Sequence, residues 1–215
     1  MSSSIPSGFR VAGIHCGIKR NPNKEDLTLV IADGPVVAAG VYTQNLVCAA
    51  PVILDRQRTP SSNIRAVVVN SGNANACTGE QGMQDAQEMT RLAGQACGAD
   101  ASQVLVMSTG IIGRHLPMGK SAAGVSAARE QLGTTEAHWQ AAARGILTTD
   151  NGVKMASRTF EIGGRKITIA GIEKGDGMIG PNMTKILGLV LTDAPLNVDV
   201  AQQVMCHATD HSLNC

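Results

Sequence analysis

The 215-residue chain has few aromatic side chains: 2% of its length, namely Phe9, Tyr42, Trp139 and Phe160. A platform that stacks single-stranded bases needs several such rings in one place, so the composition speaks against that function. Charge of one sign is also lacking. Eighteen Lys+Arg against seventeen Asp+Glu leave a formal net charge of +1, whereas a protein held on phosphates carries a basic excess. No nucleic-acid partner is expected. Long apolar runs are missing too: none approaches the roughly 18 residues of a membrane span, and the opening Met1-Ser-Ser-Ser-Ile-Pro-Ser-Gly-Phe-Arg10 has neither a basic nor an apolar leader region. A soluble, cytoplasmic protein without a membrane partner is the expectation. Six cysteines (Cys16, Cys48, Cys77, Cys97, Cys206, Cys215) are scattered without a Cys-x-x-Cys pair. A chain of this length builds a core without bridges, so reduced thiols are expected.

What is present is small and aliphatic. Charged residues are only 16% and glycines number 24, which suits close backbone packing and loops that carry function. Leu27-Thr-Leu-Val-Ile-Ala and Val36-Val-Ala-Ala-Gly-Val-Tyr read as two strands joined by the turn Asp33-Gly-Pro35, hence a hairpin. Ile64-Arg-Ala-Val-Val-Val reads as a strand buried on both faces, followed by the loop Asn70–Gly79 and a helix from Glu80 to about Ala96. The unit recurs as strand Val104–Met107, loop Ser108–Gly113 and an Ala-rich helix from Pro117 to Leu132. Glu136 to Leu147 reads as a further helix, and Gly163-Gly164 between Thr159–Ile162 and Lys166–Ala170 reads as a β-hairpin. An apolar run at Ile186–Leu191 precedes a helix over Asn197–His211 with Val198, Val200, Val204 and Met205 turned inward. The fold class is α/β.

Several loops carry polar groups suited to chemistry, and each has a plainer reading. Gly175-Asp-Gly177-Met-Ile-Gly180 has the Gly-x-Gly-x-x-Gly spacing of a dinucleotide loop. That motif opens from a first strand into a long helix, whereas here it leaves the second arm of a hairpin and runs into Pro181, so no nucleotide cofactor is expected. Lys174, ahead of two glycines, suits a carboxylate ligand approached closely by backbone. Ser108-Thr109-Gly110 follows a buried strand, where backbone N–H groups turned into a cleft make an oxyanion hole; alone, such a segment is more often a strand-ending turn. Asn70-Ser-Gly-Asn-Ala-Asn-Ala carries three amides, which equally suit a loop bonded to itself. His207 and His211 stand at i and i+4 with Cys206 and Cys215 nearby. A zinc site needs about four ligands, and no matching pair is evident elsewhere, so no metal is expected.

Taken together and in order, Asn70–Gly79, Ser108–Gly113, Thr148-Thr-Asp150 with Lys154, and Lys174-Gly-Asp-Gly-Met-Ile-Gly-Pro-Asn-Met183 resemble the ornithine acetyltransferase (glutamate N-acetyltransferase) family of arginine biosynthesis. Gly8-Phe-Arg-Val-Ala-Gly-Ile, Gly17-Ile-Lys19, Ala49-Ala-Pro-Val52 and Leu191-Thr-Asp-Ala194 extend the resemblance over essentially the whole chain. It implies a layered α/β sandwich with a mixed sheet. It also implies a precursor that cuts itself before an internal threonine, whose freed α-amine, of pKa near 8, takes the proton of its own hydroxyl. The acetyl group of N-acetylornithine passes to that hydroxyl and then to glutamate; acetyl-CoA stands as a possible second donor. By the same resemblance Thr109 and Gly110 form the oxyanion hole, Thr148 and Lys174 bind substrate, and no cofactor is needed. A self-cleaving aminopeptidase-like hydrolase and a non-catalytic remnant are the competing readings.

Two departures stand out. After Pro-Asn-Met the family has Ala-Thr, cut between the two, whereas this chain has Thr184-Lys185. Aligned without gaps, Lys185 holds the nucleophile's place. Either Thr184 is the nucleophile and substrate-binding threonine one position early, after cleavage at Met183–Thr184, or the chain does not process itself; Thr184 is the candidate. Family members are also longer. The resemblance therefore divides the chain into residues 1–183, like the family's first chain, and residues 184–215, the start of the second, with an α2β2 assembly implied and with the segment from Ile186 onward expected to be poorly supported.

Overall fold

The computed structural model describes residues 5–176 and 186–214. β-Branched and aliphatic runs set up its strands. β1 (Phe9–Ile14), β2 (Leu27–Ala38), β3 (Ser61–Asn73) and β4 (Val104–Ile111) form one sheet in that order. Its first two pairings are antiparallel and β3–β4 is parallel, so the sheet is mixed. β5 (Lys154–Ile162), β6 (Arg165–Lys174) and β7 (Leu187–Thr192) form a second, antiparallel sheet.

Alternation along the first sheet feeds two cores. On one face Ala12, Ile14, Leu27, Leu29, Ile31, Val68 and Val106 meet three helices, α1 (Ala50–Arg58), α2 (Gly79–Cys97) and α3 (Met118–Glu130). On the other, Val11, Val30, Val67 and Val69 meet Trp139, Ala142 and Ala143 of α4 (Glu136–Gly145), with Ala170, Ile172 and Leu191 of the second sheet. Three helices, the first sheet, and then α4 together with the second sheet follow one another, which is a layered α/β arrangement. α4 reaches the first sheet because Gly13 has no side chain: a Cβ there would lie 2.0 Å from the Ala141 carbonyl oxygen.

Some expectations are corrected. Leu27–Ala32 and Val36–Ala38 belong to one strand, because β1 takes the place beside β2 that a returning arm needs. Asp33-Gly-Pro35 is a bulge: between Ile31 and Val36 β2 advances five residues while β3 advances two, from Ala66 to Ile64. β3 and β4 run on to Asn73 and Ile111, so much of what reads as loop is strand. The final helix, α5 (Val198–Asp210), is capped by Asn197, whose side chain accepts the Val200 N–H at 2.8 Å. Val200 and Val204 nevertheless face outward, at 39% and 54% exposed. The segment after Ile186 has support in β7, which pairs with β6 along its length.

Candidate active site

The ends of β3 and β4 lie side by side, since Ser71 is in register with Thr109 and Gly72 with Gly110. Gly110 adopts φ +137°, and a Cβ on it would lie 2.3 Å from the Gly72 carbonyl carbon, so only glycine allows this approach. Thr109 follows Leu105 and Met107 at period two, on the face turned to the second sheet. From that sheet Lys174, at the end of β6 and 6% exposed, brings its Nζ to 3.4 Å from the Thr109 hydroxyl.

Thr148 comes to this place through the loop after α4. The Asp150 carboxylate accepts the Thr148 N–H at 2.9 Å and the Gly175 N–H at 2.7 Å. Lys154, at the start of β5, donates to the Gly175 carbonyl at 3.0 Å and is paired with Asp176, which also accepts the Asn151 N–H at 2.7 Å. Burial by itself raises the Asp150 carboxyl, but the N–H groups of Thr148 and Gly175 and the Lys174 charge bring it below its ordinary range. Because the Gly175 N–H is already given to Asp150, it is not presented to a phosphate; Gly177 and Gly180 of the motif lie outside the described residues.

Three of the expected site residues, Thr109, Gly110 and Lys174, are therefore brought together, and Thr148 is joined to them through Asp150. Thr184 and Lys185 lie outside the described residues. The Asn-rich loop has the plainer role. Asn70 donates to the Asn73 carbonyl at 2.8 Å and accepts the Ser108 hydroxyl at 2.6 Å. Asn73 donates to the carbonyls of Arg114 and His115, both at 3.0 Å, and Asn75 donates to that of Gly82 at 2.7 Å. These amides hold the Asn70–Gly79 stretch to itself and to its neighbours.

Sequence reasoning gave no role to two residues beside the site. Asp150 is one: it sat in the family-like motif, but a bond to Gly175 across 25 positions leaves no periodic trace. Lys19 is the other. A Cβ on Gly72 would lie 3.1 Å from its Cγ, and its Nζ donates to the Glu25 carbonyl at 2.5 Å. Burial, partly offset by Asp26, lowers its amine to about 8. The backbone there is pinned by buried Asp26, which accepts the N–H groups of Cys16 at 2.7 Å and Lys19 at 2.9 Å. Burial and the nearby Asp26 push the Cys16 thiol up to about 12, which removes it as a nucleophile. Cys16, Cys48, Cys77, Cys97 and Cys206 are free thiols. The His207 and His211 rings stand 4.2 Å apart, but among the described residues no group of three or more His, Cys, Asp or Glu could hold a metal ion. Among those residues no helix is long and apolar enough to cross a membrane.

The layered architecture has counterparts among solved structures. A solved L-aminopeptidase D-Ala-esterase/amidase from Ochrobactrum anthropi, described as a variant of the Ntn hydrolase fold, is similar over 97% of this chain and 69% of its own, with TM-score 0.54 and 16% identity. At that identity the likeness is one of fold alone: a layered α/β architecture similar to a variant of the Ntn hydrolase fold.

Residues 10–215 match the ArgJ family, and the chain belongs to it. The arginine biosynthesis bifunctional protein ArgJ of Rhodopirellula baltica is 47% identical over 213 residues, covering 99% of this chain and 52% of that protein. The chain thus spans about half the length of the curated relatives it matches. The crystal structure of ornithine acetyltransferase from Mycobacterium tuberculosis, complexed with ornithine, is 37% identical with TM-score 0.75, over 83% of this chain and 95% of that one.

Proposed function

We propose that this chain provides the acyl-transfer site of an enzyme that moves the acetyl group of N-acetylornithine to glutamate, with acetyl-CoA as a further candidate donor. The observation that carries the reading is the meeting of Lys174 with Thr109 beside Gly110, in a chain of the ArgJ family. A threonine hydroxyl attacks the acetyl carbonyl, and its proton passes to the α-amine of the same residue. The tetrahedral oxyanion forms at Thr109 and Gly110, where aimed donors stabilise developing charge. Collapse breaks the C–N bond and ornithine leaves with the proton. The glutamate amine then attacks the acetyl-threonine by the reverse route. Thr148 and Lys174 bind the substrate, Lys174 as a point charge for its carboxylate.

In this reading Thr184 is both nucleophile and substrate-binding residue, freed by cleavage after Met183. Residues 1–183 then form one chain and residues from 184 begin another, associated as an α2β2 assembly in the cytoplasm. Lys185, standing where the family has its nucleophile, favours a second reading in which the chain stays uncut and does not transfer acetyl.

Incubation of the protein in its full natural length with N-acetylornithine, with and without glutamate, tests the reading. Ornithine release that depends on glutamate is expected, and release indifferent to glutamate would instead indicate a hydrolase. Intact mass should show a second chain starting at Thr184, and Thr184→Ala should leave one uncut, inactive chain. An uncut, inactive parent protein would establish the second reading.

A further inference from the structure

We propose that Asp150 is a positioning residue of this site: its carboxylate ties the backbone at Thr148 to the backbone at Gly175, fixing Thr148 and Lys174 relative to one another around Thr109. What those two residues hold rests on the acetyl-transfer reading; the tie itself rests on geometry. The Asp150 side chain is 1% exposed. A carboxylate removed from water must be matched by donors and cations, and here the donors come from two separate stretches of chain. Oδ2 takes the Thr148 N–H and Oδ1 the Gly175 N–H, at 2.9 and 2.7 Å. Gly175 is the first residue beyond β6, at φ +150°, so the bond fixes the direction in which the chain leaves Lys174.

The charged groups around this carboxylate are Lys154 of β5, with Nζ 3.8 Å from Oδ1, Lys174 of β6, Asp176 beyond it, and Lys19 from the loop between β1 and β2. One anion thus serves several cations, of which Lys174 also reaches the Thr109 hydroxyl. Two consequences follow for Lys174. The backbone from which its side chain extends is held by the Gly175 hydrogen bond, so its charge is presented from a fixed base. Its charge is also one of the causes that lower the Asp150 carboxyl, so the two charges interact.

The two consequences are separable by experiment in the full-length protein. Trace acetylation with acetic anhydride across pH 7–11, read by mass spectrometry on the peptide containing Lys174, reports the protonation of that amine without needing turnover. In Asp150→Asn the Lys174 labelling curve is expected to move down by about one pH unit or more, while the KM for N-acetylornithine rises about tenfold with a smaller change in kcat. Asp150→Glu keeps the charge but shifts the carboxylate by one methylene. Its labelling curve should stay close to that of the parent while KM still rises several-fold. An unmoved curve in folded Asp150→Asn, or a parental KM in Asp150→Glu, would overturn the proposal. Should Asp150→Asn fail to fold, the Asp150→Glu pair of readouts decides. A parent protein without acetyl transfer sinks the functional reading, and the labelling curves still decide whether Asp150 governs Lys174.

Discussion

Two polar regions stand at the ends of the neighbouring strands β3 and β4, similar in composition and different in what their polar groups do. In the Asn70–Gly79 loop the amides of Asn70, Asn73 and Asn75 are each bonded to backbone or to a neighbouring side chain, and all three residues are buried. At Thr109–Gly110 the polar groups meet a lysine from another sheet across a 3.4 Å contact. Asn and Thr are equally suited to binding or to structure. What separates the regions is where their hydrogen-bonding capacity goes: a residue whose capacity is met by backbone inside the fold acts on stability, while one beside a buried cation at a sheet edge is the candidate for binding a ligand.

Thr109→Val should show the largest effect and fall on one side of that division. It keeps strand propensity but removes the Thr109 hydroxyl, which in the proposed reading donates to the oxyanion alongside the backbone N–H groups, so acetyl transfer should drop about 100- to 1000-fold in kcat, as for loss of an oxyanion donor. Stability to urea should change by less than about 1 kcal/mol. Equal losses of activity and stability would erase the contrast. Asn75→Ala should fall on the other side. It leaves the Gly82 carbonyl and the Thr78 hydroxyl, now bonded to Asn75 at 2.7 and 2.8 Å, without that partner. Urea unfolding should register a loss of about 2–3 kcal/mol, with kcat of the folded fraction near that of the parent. A selective loss of kcat would move Asn75 into the site.

How far the sequence foretells this contrast depends on the range of the interaction. The β-branched run Ile64–Val69, the Gly163-Gly164 turn and the helices α2 to α4 are local patterns, and they lie close to where periodicity and propensity put them. Asp33-Gly-Pro35 misleads because its turn signal is as good as any; only the presence of β1 makes it a bulge. Neither β1 nor α1 stands out: β1 is interrupted by the small residues Ala12 and Gly13, and α1 is a nine-residue helix marked mainly by Pro51 and its terminal Arg56 and Arg58. Thr109, Gly110 and Lys174 are legible as candidates from a polar turn after a buried strand and a lysine ahead of glycines, whereas Thr148 is legible only through the family-like motifs. Their convergence depends on β4, the loop after α4 and β6 meeting between two sheets, which no spacing records.

The smallest effect concerns the other end of β4, where function is not at stake. β4 is an edge strand, and α1 covers that edge: buried Asp55 accepts the Val106 N–H at 3.0 and 3.1 Å, while Arg58 donates to the Val104 carbonyl at 2.5 Å. Burial, opposed by the Val106 bond and Arg58, pushes the Asp55 carboxyl up to about 7. The folded protein therefore keeps this proton until about pH 7, whereas the unfolded chain loses it near pH 4. Between those values the folded state binds more protons, so stability falls as pH rises, by at most about 1.4 kcal/mol per pH unit. The contribution is complete below about pH 4 and gone above about pH 7. Glu25, Glu88, Asp150 and Asp176, with carboxyls held below their ordinary range, act in the opposite sense and mainly in acid. Lys19, lowered to about 8, acts only above that pH. Urea midpoints measured from pH 4.5 to 7.5 should thus decline in the parent and flatten in Asp55→Asn, which stays neutral throughout. Identical slopes in the two proteins would show that the edge of β4 is held without a titrating carboxyl.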